Sequence, residues 1–347
     1  MPEQPLLDGA RNCVIDCAQI GKGSMVSVVN EAGVDADVVA AITDIARAAG
    51  AKVSVVWADP YPKNDPAAKI PENVFAAFRD ADVLVNHYHS LSRAVLQDEF
   101  PAETRVRVPN RATTSALLAS SWARFPYGLQ KALGDSLEEI MAAGQRWRIT
   151  SPAGTDLRGQ FVEADSALAQ AYFQTDEDNN RARRNFPGGV HTPRISTNIQ
   201  GTLVAEYVDG APGEMPPVYI TIEDGKVIGV DGGDPEGRAR ARIMESDGHL
   251  DSWHSGINPK TVVPVKRSDN PRKWYSYAHC SPKMVHFHLG RTHSTINVAC
   301  LDQTLEIEHR PIYENGVLIA VSDRRVDDAL TRYKLNTDVL KTEPILV

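Results

Sequence analysis

Two textures meet near residue 145, and no fold of a single class carries both. Through the first 110 residues, short β-branched runs alternate with helical patterns. Met25 to Val29, Lys52 to Trp57, Val83 to Asn86 and Val106 to Val108 read as strands. Between the first two, Val38, Ala41, Ile42 and Ile45 keep helical spacing up to Gly50, with Asp35 or Asp37 as the cap. Pro60 to Pro66 is a polar loop, and Pro71 opens a helix carrying Val74 and Phe78. Such alternation predicts a parallel sheet covered on both faces. A helical pattern then runs from Ser115 to Ala143, broken near Pro126.

Beyond Trp147 the spacing becomes that of hairpins. Asp224-Gly225 joins the strands Val218 to Ile222 and Lys226 to Val230, and Asn315-Gly316 precedes Val317 to Val321. Strands are also predicted over Gly201 to Val208, Val298 to Cys300 and Thr304 to Glu308, and a helix over Asp327 to Leu335. The expected fold is α/β: an open parallel-sheet domain over 1–145, then a mainly antiparallel α+β domain over 146–347 carrying the site. Gln174 to Arg184 reads as a linker-like insertion.

A chain of 347 residues with 42% hydrophobic residues can build such cores without staples. Its formal net charge of −8 excludes a general attraction to nucleic acid or anionic membranes. No stretch approaches the roughly 20 apolar residues that span a bilayer. Four cysteines form no disulfide framework, and Met1 to Ala10 resembles no signal peptide, so the expectation is a cytoplasmic protein with reduced thiols.

Chemistry concentrates late. Six of the ten histidines lie between His249 and His293, and imidazole is both the commonest metal ligand and a proton carrier near neutrality. His254 precedes Gly256-Ile257-Asn258-Pro259, a turn that can present it as a metal ligand or acid/base; it could equally bond a backbone group. His286 and His288 alternate on one strand face, which suits two ligands on one ion or an exposed polar face. Arg291 and His293 extend that cluster. Cys300 and Asp302 would share a face as thiolate and carboxylate ligands, or serve as a buried small residue beside a turn aspartate. His87, His89 and Ser90 follow the third parallel strand, where ligands of open α/β sheets sit; solvated loop residues are the alternative. Gly21-Lys22-Gly23-Ser24 lacks P-loop spacing, and neither a Gly-x-Ser-x-Gly elbow nor a His-Glu-x-x-His motif is present.

Seven blocks in order resemble the aminopeptidase T-like superfamily, which includes metallo-aminopeptidases and an iron-dependent dihydroxypyridine dioxygenase. They are Gly154 to Leu157, Asn185 to Val190, Gly201 to Val204, Ile222 to Val227, Gly256 to Pro259, His286 to Gly290 and Leu301-Asp302. The block Phe186 to His191 lacks the acid that the peptidases' metal pair requires, so the resemblance leans towards the dioxygenase. It implies one divalent metal, Fe(II) first and Zn or Mn as alternatives, held by His254, His286, Cys300 and Asp302. Ser252 rather than His254 falls at the aligned histidine position, and Cys300 replaces the histidine of the family's His-x-Asp pair. His89-Ser90 matches a substrate-touching motif; His87, His288, Arg291 and His293 complete the expected substrate contacts, and His89, His254 and Cys300 the catalytic set. The implied activity is ring opening of a small aromatic or N-heterocyclic substrate by a homo-oligomer. The alternatives are a hydrolase of amides, lactams or imides, using metal-activated water or Cys300, and a metal-lost binding protein.

Overall fold

The computed structural model describes residues 3–59, 72–76, 79–87, 106–163, 184–290, 296–319 and 323–346. His89, Ser90, Arg291 and His293, the Pro60 to Pro66 loop and nearly all of the 174–184 insertion lie outside them. The chain divides into two compact units. One comprises Met1–Gly128 with Phe173–Gly188, the other Leu129–Tyr172 with Gly189–Val347.

The first unit is built on four parallel strands, β1 (Met25–Glu31), β2 (Lys52–Ala58), β3 (Val83–Asn86) and β4 (Val106–Pro109), in the order β2-β1-β3-β4. Val26, Val28 and Val29 are buried whichever way they point, as a strand covered on both faces requires. The helix Ala36–Ala48 buries Val38, Ala41, Ile42 and Ala46 and stops at Gly50, whose φ of +86° favours glycine. Asp35 stands at its N-cap, but the carboxylate accepts from the Ser115 amide (2.7 Å) instead of capping this helix. The expected long helix is three: Ser115–Leu118, Ser121–Arg124 and Tyr127–Ala143. Thr114 and Ser120 cap the first two, and Pro126 precedes the third.

The second unit claims most of that third helix, so the division falls earlier than residue 145. Glu138 pairs with His191 (3.1 Å) and Glu139 with Arg325. Conversely, Phe186 returns to the first unit: its amide donates to Pro109 and its carbonyl accepts from Arg111.

Two antiparallel sheets make up the rest of the second unit. The larger contains β5 (Arg146–Thr150), β6 (Asp156–Phe161), β8 (Ser196–Ala205), β10 (Val218–Glu223), β11 (Lys226–Gly232), β15 (Thr304–Ile307), β16 (Arg310–Glu314) and β17 (Val317–Leu318), in the order β11-β10-β8-β6-β5-β15-β16-β17. Strict alternation of exposed and buried residues along β6 and β10 shows one wet face and one dry. Both predicted hairpin turns form, with positive φ at Asp224, Gly225, Asn315 and Gly316. The smaller sheet, β7-β12-β13-β14-β9, comprises β7 (Val190–His191), β9 (Tyr207–Val208), β12 (Leu250–Gly256), β13 (Met284–Leu289) and β14 (Ile296–Leu301). Its central strands are buried almost continuously, so both faces are covered. Among the described residues no helix is long and apolar enough to cross a membrane.

Candidate metal centre

Strands β12 and β13 set the geometry. In their antiparallel register His254 lies directly opposite His286, and Ser252 opposite His288. Side chains alternate along a strand, so His254, His286 and His288 share one face. The His254 ring stacks on His286 at 4.8 Å between centroids and 10° between planes, and lies 4.4 Å from His288. One nitrogen from each of the three falls within 4.8 Å of the others. His254 and His286 are buried and His288 half-buried.

His254 is thus a strand residue, two positions before the start of the predicted turn. Gly256 follows it because the Ser281 carbonyl would collide with any Cβ there. The other face of β12 explains the burial. Trp253 points the opposite way, packing edge-on against Trp147 of β5 (5.8 Å) and near Phe161 of β6 (6.2 Å). The three imidazoles therefore face away from the larger sheet.

On their side stands the helix Pro271–Ala278, started by Pro271 and capped by Asn270, which accepts from the Lys273 amide (2.9 Å). It brings Tyr275 edge-on to His286 at 5.5 Å, and its C-cap residue His279 edge-on at 5.6 Å. His279 Nδ1 donates to the Tyr275 carbonyl (2.8 Å). Tyr207, placed on this face by pairing with Ala299, stacks on Tyr275 at 4.6 Å. From the edge strand, the Thr192 hydroxyl meets His254 Nδ1 at 2.8 Å. Sequence reading missed Thr192, Tyr275 and His279; none sits in a motif, and only register and helix packing deliver them.

The structure does not bring Cys300 or Asp302 to this cluster. Ala299 is the partner of His286 on β14, so Cys300, opposite Val285, lies on the other face, in the core between the sheets. That face keeps it from the imidazoles, and burial pushes its thiol up to about 12, against a role as a free nucleophile. Asp302 follows the end of β14 with φ +47°, and its carboxylate pairs with Lys283 Nζ at 2.5 Å. All four cysteines are buried. The native protein is therefore expected to show no thiol reacting with an aromatic disulfide reagent at pH 8, and four after unfolding. A Cys300 modified in the native state would contradict this placement.

His87 is not available to substrate either. It is fully buried at the end of β3, where Nδ1 donates to Asn30 Oδ1 (2.8 Å) and Nε2 accepts from Asn110 Nδ2 (2.9 Å). The tautomer follows from the neighbours: Asn30 Nδ2 already donates to the Val28 and Val56 carbonyls, and Asn110 Oδ1 accepts from the Ala112 amide. Burial lowers the His87 pKa from 6.5 to about 4. At the carboxyl end of β3, the side of such sheets where ligands often bind, the His87 ring is bonded to Asn30 and Asn110. A separate cavity of about 880 Å³, lined by charged residues such as Arg148, Asp156, Arg158 and Glu306, opens on the wet face of the larger sheet and contains none of the three imidazoles.

No protein-family model and no curated protein matches the chain. Solved structures do. A 2,5-dihydroxypyridine dioxygenase from Pseudomonas putida superposes with a TM-score of 0.65 over 94% of this chain and 100% of its own, at 14% identity. AmpT from Thermus thermophilus superposes with a TM-score of 0.50 over 91% of this chain and 99% of its own, at 12% identity. The fold is the one these two proteins share. The superfamily resemblance read from the seven blocks, and its leaning towards the dioxygenase, agree with these likenesses in fold.

The donor set fits a divalent ion in kind. Three imidazoles, neutral when they ligate, suit Fe(II) and Zn(II) alike.

Proposed function

We propose that this chain is a mononuclear metalloenzyme that opens the ring of a small hydroxylated aromatic or N-heterocyclic compound, with the ion held by His254, His286 and His288. The observation that carries the reading is the convergence of three imidazoles on one sheet face. One three-ligand cluster, the only one among the described residues, fits a single ion rather than a pair. The dioxygenase-like fold supports this choice. Fe(II) held by three protein nitrogens would supply open positions for dioxygen and for the oxygens of a hydroxylated ring.

The chain's own residues supply the setting. Tyr275 and His279 wall the cluster on the helix side, Tyr207 backs Tyr275, and the half-buried His288 and exposed Thr192 mark where the cluster meets solvent. Flat aromatic walls suit a flat substrate. A second reading, hydrolysis, is favoured by the missing carboxylate. With Asp302 committed to Lys283, three neutral ligands would leave a Zn(II) ion its full charge to acidify water.

The test uses protein purified without a histidine tag. Metal analysis after anaerobic loading with Fe(II) is expected to find about one ion per chain, with oxygen uptake on dihydroxypyridines or hydroquinones. Zinc-dependent cleavage of an amide, lactam or imide without oxygen uptake would move the assignment to the hydrolase. Absence of any bound metal would end both readings.

A further inference from the structure

We infer that Thr192 is a positioning residue for the metal centre, whose hydroxyl selects the nitrogen that His254 presents; this rests on the three-imidazole reading above. The Thr192 hydroxyl and His254 Nδ1 lie 2.8 Å apart. A hydroxyl can donate or accept, so the contact alone does not orient the proton. Ligation would. With Nδ1 engaged by Thr192, an ion held by His254 would take Nε2, so Nδ1 would keep its hydrogen and donate it to Oγ1. The lone pair then sits on Nε2, the other ring nitrogen.

The backbone makes this contact repeatable. Strand β7 pairs with β12 through Ser255 with His191 and Gly256 with Val190. One step further, that register sets Thr192 beside His254 on the imidazole face, as the 2.8 Å contact shows. His191 is turned to the other side, where it meets Glu138. A short edge strand thus exists at the position where it can hold a ligand's outer nitrogen. Groups bonded to the far nitrogen of a ligating histidine fix its tautomer and ring angle, and losing one typically costs 10–100-fold in metal affinity.

The experiment measures affinity, not turnover. Co(II) is titrated into metal-free protein, followed by its visible absorption, and Zn(II) is measured in competition with a chromogenic chelator. Thr192→Val keeps the shape and removes the hydroxyl; it is expected to weaken binding about 10–100-fold with an unchanged melting temperature of the metal-free protein. Thr192→Ser restores the oxygen and is expected to bind within about threefold of wild type, as retention of that bond requires. Equal affinity of wild type and Thr192→Val, while His254→Ala abolishes binding, would overturn this inference and leave the metal centre standing. Wild-type protein that takes up neither ion would overturn both.

Discussion

Replacing His286 with alanine is expected to reduce bound metal from about one ion per chain to under a tenth, and turnover by at least a hundredfold, because a ligand is removed outright. His286 lies 4.8 Å from His254 and 5.4 Å from His288 between centroids, and it is one of only three residues that form the cluster among the described residues. Folding gives an independent readout. A ligand that binds only the native state stabilises it by about 2.7 kcal/mol at a hundred times its dissociation constant. Added metal should therefore raise the melting temperature of wild-type protein and leave that of His286→Ala unmoved. His249→Ala, which removes a histidine outside the cluster, should behave as wild type, and so should Asp302→Asn, whose partner is Lys283. Metal retained in His286→Ala at wild-type stoichiometry would refute the site.

The second large effect concerns stability. His87→Ala should cost about 3–5 kcal/mol at pH 8, since it opens a cavity and strands two buried amide groups. The loss should be pH-dependent. Native His87 is held neutral down to about pH 4, whereas the unfolded chain takes up a proton below 6.5. The folded pKa of this base is depressed, so its contribution is complete above pH 6.5 and declines as pH falls towards 4. The decline amounts to about 3 kcal/mol by linkage. Urea denaturation of wild type and variant at pH 8, 6, 5 and 4 checks this: the gap between them should narrow with acidification. A constant gap would mean that His87 does not reside in the native protein as a buried neutral ring.

These two histidines show where sequence reading succeeds and where it stops. Both were singled out for chemistry, yet their surroundings assign them different tasks. His87 follows a parallel strand, as read, but Asn30 comes from β1 and Asn110 from the residue after β4, and only the finished sheet reveals that they consume both ring nitrogens. His286 and His288 were legible as one face of a strand from their spacing alone.

The alternation of strand and helix up to residue 110, the Asp224-Gly225 and Asn315-Gly316 turns and the shared face of His286 and His288 are local properties, set by side-chain shape and a repeat of two or 3.6 residues. The chain itself determined them. Which strands lie side by side, and in what register, is decided by burial over the whole unit. That choice put His254 opposite His286, and it paired Ala299, not Cys300, with the same histidine. A slip of one residue would turn the thiol to the imidazole face. The three-imidazole cluster is therefore a product of register, a long-range quantity that no local spacing encodes.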